Sequence, residues 1–254
     1  MNDLLKSGDY ARKQIYCRSG LVRWSHGSRF ELARALVTAQ AGGRLLDYGC
    51  GDGTFVAMVH ASFAESLGID VDARQIGECQ ARLGHLPGVR FAMTPPAAGP
   101  QLPHSAWDVV TCMEVLEHCL EDERRRVIGE LRRLVSPAGM VVVSVPIEIG
   151  PSLPGKHLVR LVAGLRGLGD YRHRERYSPL ELMRSTAGFP ITRVPIEGDG
   201  PDGPYRYYGH KGFDYRDVGR ELSQRFTIVR RIYSPMRLLG PVLNSQAWFV
   251  CVPR

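Results

Sequence analysis

The sequence predicts an α/β fold, a parallel sheet wrapped by helices, and three observations predict it. Short apolar runs alternate with amphipathic stretches. The first run ends in a glycine-rich turn, LLDYGCGDGTF, which feeds an amphipathic stretch. An aspartate, Asp70, closes the next run about 20 residues further on.

The elements follow in order. Residues 9–38 read as one or two helices ahead of the sheet. The first strand is RLLDYG and its helix covers 54–64. The second strand ends in SLGIDVD, followed by a helix over 73–83 that Asp72 is placed to cap. A third, weak strand is GVRF at 88–91, and a fourth is WDVVTCME at 107–114. The helix expected over 121–135 puts Val127, Ile128, Leu131, Leu134 and Val135 on one face, and SPAG stops it. MVVVSVP, residues 140–146, is the fifth strand. Beyond it two helix-strand units compete for the end of the sheet, YSPLELMRSTAGFPITRVPI and GFDYRDVGRELSQRFTIVRRIY. The second is assigned to the sheet because it leads directly into the strand AWFVCVP. Residues 1–40 then form an N-terminal helical segment, 41–146 the ligand-binding core, 147–213 an inserted cap and 214–254 the completion of the sheet.

Composition bounds the function. With 254 residues, 44% hydrophobic and 23% charged, the chain suits one sizeable globular domain. No apolar run approaches the roughly 20 residues of a membrane span, and MNDLLKSGDYARKQ lacks the pattern of a secretory leader, so a soluble cytoplasmic protein is expected. The six cysteines are scattered without a CxxC pair, which argues against a zinc knuckle or disulfide framework and for reduced thiols. A net charge of +7 fits a phosphorylated or nucleic-acid partner, or simply an arginine-rich chain.

A strand that ends in glycines and feeds a helix lets a ligand lie against bare main chain near the positive end of that helix. The spacing DxGxGxG differs from the GxGxxG of pyrophosphate binders and lacks the Lys-Ser/Thr of a P-loop; a purely structural turn remains open. Asp70 stands where an acidic side chain accepts hydrogen bonds from ribose hydroxyls.

Together, DYGCGDGTF, GIDVD and WDVVTCMEVLEH resemble the class I S-adenosylmethionine-dependent methyltransferases, and the last stretch is similar to the ubiquinone-biosynthesis O-methyltransferase group. The resemblance covers about residues 40–146. It implies a Rossmann-like sheet of seven strands with the last antiparallel, with FTIVRRIY and AWFVCVP as closing strands. It implies S-adenosylmethionine as cofactor, leaving as S-adenosylhomocysteine, with Asp47, Gly49, Cys50, Gly51, Asp70, Val71, Met113 and Glu114 around it. Gly49 and Gly51 would lie against the methionine part, Asp47 would hold the loop, Asp70 would bind ribose, and Met113 and Glu114 would line the pocket near the sulfonium. After the third strand many relatives place an acidic residue on the adenine; here FAMTPPAAG offers only main chain near Met93 and Thr94.

Methyl transfer needs an aligned acceptor and often a base. His118, His173 and His210 are the candidate bases, with His118 first because it follows strand four on the face where ligands gather. Glu114, Glu117 and His118 alternatively form half of a divalent metal site, an ExxEH pattern similar to that of the small-RNA 2′-O-methyltransferases; the metal-free reading is preferred. IEGDGPDGPYRYYGHKG reads as a lid or connecting loop, with Tyr205, Tyr207, Tyr208 and His210 offered to the acceptor. Arg12, Lys13, Arg18, Arg23 and Arg29, with Trp24 and His26, would form a basic entrance suited to an anionic acceptor. The expected function is O-methylation of a small hydroxylated metabolite, a sugar or natural-product intermediate. N-methylation of a small amine, 2′-O-methylation of RNA and a non-catalytic cofactor-binding role are the alternatives.

Overall fold

The computed structural model describes residues 6–16, 20–94, 101–165, 176–200 and 203–254. Its centre is a seven-stranded sheet in the order β3-β2-β1-β4-β5-β9-β8. The strands are β1 (Arg44–Tyr48), β2 (Glu65–Asp70), β3 (Val89–Met93), β4 (Trp107–Met113), β5 (Val135–Pro146), β8 (Phe226–Ser234) and β9 (Gln246–Pro253). β9 runs antiparallel to both of its neighbours, and the other pairings are parallel. The sheet expected from the sequence, with its two closing strands, is the sheet observed.

Helices cover both faces, which is why the central strands read as continuous apolar runs. On one face α4 (Glu121–Leu134) and α7 (Tyr215–Arg225) bury Val127, Ile128, Leu131, Val218 and Leu222 against Val110, Val141, Val143 and Phe249. On the other, α1 (Gly20–Val37) and α2 (Thr54–Val59) pack Leu32, Val37 and Phe55 onto Val109, Val142 and Trp248. β9 shows the two-residue alternation directly: Ala247, Phe249 and Cys251 enter the first core, Trp248 and Val250 the second. α3 (Ala73–Leu83) starts as expected, Asp72 accepting from the N–H groups of Arg74 and Gln75.

Two boundaries differ from expectation. SPAG does not separate helix from strand; β5 begins at Val135, directly after α4, and pairs through Trp107 before a register shift. The helix expected over 54–64 ends at Val59 and tightens into a 3₁₀ turn over His60–Ser62.

Between β5 and α7 the chain leaves the large sheet. It forms α5 (Leu153–Leu165), α6 (Pro179–Thr186) and the two-stranded hairpin of β6 (Ile196–Gly200) and β7 (Gly203–Tyr207). Ser178 and Glu181 close a capping box on α6, with Pro179 in its first turn. No helix among the described residues is long and apolar enough to cross a membrane.

Candidate active site

The glycine-rich loop sits at the switch point, where β1 lies between β2 and β4 and the strand order reverses. Gly49, Gly51 and Gly53 all have positive φ, 78°, 53° and 70°, but for different reasons. A Cβ on Gly49 would stand 2.2 Å from the Val115 side chain, and one on Gly53 2.9 Å from Phe91. One on Gly51 would meet nothing nearer than Gln75 Oε1 at 3.4 Å. Gly51 is therefore the glycine that leaves open approach for a ligand, while the other two are demanded by turn and packing.

Asp70 ties this loop to β2. Its carboxylate accepts from Gly51 N–H at 2.8 Å and Asp72 N–H at 3.0 Å. A carboxylate has about four acceptor sites, so capacity for ribose hydroxyls remains. Open main chain at Gly51 beside a strand-end carboxylate fits the adenosyl cofactor.

The other residues expected around the cofactor are placed as follows. Cys50 turns its thiol into the core beside Val56 and Ile76, and its N–H is taken by the Ile69 carbonyl. Asp47, 2% exposed, accepts from Thr111 of β4 at 2.6 Å and so braces two strands, and burial pushes its carboxyl up to about 7. Val71 is an exposed turn residue. The Thr94 N–H, expected near adenine, is taken by the Asp70 carbonyl.

A cavity of about 860 Å³ opens between the ends of β4 and β5, α1 and α5. Glu114, just past β4, sits at φ 58°, a left-handed conformation that is strained for a side-chain-bearing residue. Its carboxylate receives Ser144 Oγ at 3.4 Å and faces Arg29 Nη1 at 3.3 Å. His118 donates from Nδ1 to the Tyr208 carbonyl at 2.9 Å, an arrangement that leaves the lone pair on Nε2. The His210 ring lies 5.1 Å from it, centroid to centroid. Burial lowers His210 to about 4, so it is neutral at pH 7. Glu117 is 0% exposed; neither carboxylate oxygen has a hydrogen-bond partner among the described residues, and His118 Nε2 stands 3.9 Å from Oε1. Burial, with Glu114 close by, raises its pKa well above the usual range. Glu117, His118 and His210 each present a ligand atom within 4.8 Å of the others. One carboxylate with two imidazoles suits a transition metal better than magnesium.

Arg193 holds this cluster in place. Its Nη2 donates to the carbonyls of Glu117 at 2.5 Å and Gly209 at 2.7 Å, and its guanidinium covers the Tyr208 ring. On the opposite wall Glu148 is bonded to Lys156 and Arg160, which hold its carboxyl well below the usual range despite its burial.

The expected site is thus assembled in part. His118 and His210 come together with Glu117, whereas His173 lies outside the described residues. Of the aromatic group only His210 reaches the cavity; Tyr205 and Tyr207 stack on the hairpin and Tyr208 is buried under Arg193. Trp24, His26 and Arg29 line the cavity. Arg12 and Lys13 instead pair with Asp9, and Arg18 lies outside the described residues. Sequence reasoning missed Glu148, Arg193 and Gln246. Glu148 follows β5 much as Glu114 follows β4, a signal that was available; the other two carry none.

A family model described as a methyltransferase domain matches residues 46–141. A ubiquinone biosynthesis O-methyltransferase from Methylococcus capsulatus is 32% identical over 170 residues, 64% of this chain and 69% of that protein. The chain belongs to the class I S-adenosylmethionine-dependent methyltransferases. A namesake from Aeromonas salmonicida is 32% identical over 162 residues, covering 58% of this methyltransferase and 64% of the relative, slightly under two thirds of its length. The magnesium protoporphyrin IX methyltransferase of Synechocystis PCC 6803, solved with bound S-adenosylhomocysteine, shares the fold at a TM-score of 0.57 and 18% identity, over 98% of each chain. The methyltransferase fold and S-adenosylmethionine as its cofactor are as expected from the sequence.

Proposed function

We propose that this methyltransferase methylates a hydroxyl oxygen of a small hydroxylated acceptor, with His118 as the base. The observation that carries the reading is the fixed His118 ring, whose Nδ1–H is spent on the Tyr208 carbonyl. S-adenosylmethionine, when bound, supplies a methyl group on a sulfonium and leaves as S-adenosylhomocysteine. Asp70 and Gly51 would hold its nucleoside, and Glu114 with Arg29 would border the reacting end. His118 Nε2 takes the hydroxyl proton as the oxygen attacks in line. Neutral His210 beside it adds no like charge to the imidazolium that forms. The names of the curated relatives, O-methyltransferases, support oxygen over nitrogen.

The test uses purified protein, S-adenosylmethionine labelled on its methyl group, and cell extract with or without ribonuclease. Label in small molecules that ignores ribonuclease is expected; label lost on treatment overturns the reading in favour of RNA.

A second reading adds a divalent transition metal at Glu117, His118 and His210, favoured by the buried Glu117 carboxylate, which has no hydrogen-bond partner among the described residues. Metal analysis of the purified protein tests it. Stoichiometric manganese or zinc that disappears in Glu117→Gln would favour it, and metal-free active protein would end it.

A further inference from the structure

Besides Glu117, the cavity side chains with buried polar atoms that lack a hydrogen-bond partner among the described residues include Ser152, at its hydroxyl, and Gln246, at both ends of its amide. Glu117 belongs to the histidine cluster. Gln246 does not. It is 2% exposed and opens β9, opposite Pro146 of β5 and Ser234 of β8. By strand alternation it shares a face with Trp248, which stands opposite Ser144, the residue that donates to Glu114. Gln246 is therefore one pleat repeat, about 7 Å, beyond the Glu114 end of the site along the same wall.

A buried amide with neither end satisfied destabilises a fold, and such groups in native proteins call for an explanation. A ligand that supplies both missing partners provides one. The amide has a donor end, with two N–H groups, and an acceptor end, an oxygen with two lone pairs. A hydroxyl matches both, whereas a carboxylate or phosphate would set acceptor against Oε1. The cavity is also lined by the half-exposed Trp24 and the rings of His157 and Tyr177, flat faces against which the C–H face of a ring can lie.

We propose that Gln246, with Ser152 on the loop before α5, forms a subsite that reads a second, non-reacting hydroxyl of the acceptor, which is therefore polyhydroxylated. This rests on the hydroxyl-acceptor reading above and deepens it.

The test is Gln246→Met in the full chain, which removes both polar ends at similar volume. Its melting temperature is expected to rise by roughly 2 °C, because an unmet amide is replaced by apolar surface. Its calorimetric affinity for S-adenosylhomocysteine is expected to match the wild type. With labelled S-adenosylmethionine and the extract fraction that the wild type methylates, KM for that fraction should rise about tenfold or more, with a smaller change in kcat. Acetylation of the labelled product followed by mass spectrometry should show at least one further free hydroxyl. A lower melting temperature, an unchanged KM, or a product without a second hydroxyl each overturns the proposal. If the wild type binds S-adenosylhomocysteine yet labels nothing, the methyl-transfer reading fails. In that case the sign of the melting shift still decides whether the amide is unmet.

Discussion

His118 and Tyr208 hold each other twice, the Tyr208 N–H donating to the His118 carbonyl at 2.9 Å and His118 Nδ1 to the Tyr208 carbonyl at 2.9 Å. Ring and main chain are thus fixed by one residue 90 positions away. This geometry matters only if Nε2 has work to do. His118→Ala should lower methyl transfer to a hydroxyl acceptor by roughly 10²–10⁴-fold, the usual contribution of a positioned base. Steady-state kinetics beside calorimetry with S-adenosylhomocysteine check it; the variant should bind that product as the wild type does. Full activity in the variant would remove His118 as base and favour an amine acceptor, which needs none.

Arg193 acts on the same pair from behind. Because it bridges the Glu117 and Gly209 carbonyls and covers Tyr208, its loss frees the two histidine-bearing segments from each other. Arg193→Met should cost about tenfold or more in kcat with little change in cofactor affinity. Arg193→Lys should recover only part of this, since a single ammonium lacks the planar fork. Nitrogen NMR of His118 distinguishes positioning from general destabilisation: the Nδ1-protonated tautomer should give way to a mixture in Arg193→Met at a temperature where the variant stays folded.

The glycines divide into two kinds, and substitutions should separate them. Gly49→Ala adds a clash with Val115 to left-handed strain and should cost about 3 kcal/mol of stability. Gly51→Ala carries only the strain, about 1 kcal/mol, but places a methyl in the open approach and should weaken S-adenosylhomocysteine binding more than tenfold. Thermal melts and calorimetry on both variants check the split. Equal effects on stability would mean that Gly51 is also a packing glycine.

The sheet was legible because each of its strands carries its own signal: an apolar run, a turn, an amphipathic helix. The place of Asp70 at the end of β2 was legible for the same reason. The purpose of the individual glycines was not, since Val115 and Phe91, which decide it, arrive from 66 and 38 residues further along. The acceptor side was still less legible. Glu117 and His118 are held near His210 by Tyr208 and Arg193, contacts across 76 to 90 residues that no period or spacing announces. Gln246 is one polar residue at the start of a strand, and a sequence gives no means of knowing that its amide goes unmet. Where folding is driven by local pattern, reading succeeded; where function is assembled by long-range hydrogen bonds, it found the residues singly or not at all.

His26 supplies a pH test that is independent of the acceptor. Burial, with Arg29 adjacent, lowers it to about 3 from an ordinary 6.5, and Tyr10 Oη meets its Nδ1 at 2.7 Å. The folded protein therefore refuses a proton that the unfolded chain accepts anywhere between those values. Stability from this residue is complete above about pH 6.5 and is lost as the pH falls toward 3. Other groups titrate in the same range, the buried Asp47 with the opposite sign, so the informative quantity is a difference. His26→Gln keeps a hydrogen-bonding partner for Tyr10 and has no charge to gain. Between about pH 6.5 and 5 the wild type should lose roughly 2 kcal/mol more than this variant in urea melts, corresponding to about 1.5 pH units at 1.4 kcal/mol each. Parallel pH profiles would show that His26 is protonated in the folded state, and that the packing of Tyr10, His26 and Arg29 over the site is looser than the structure describes.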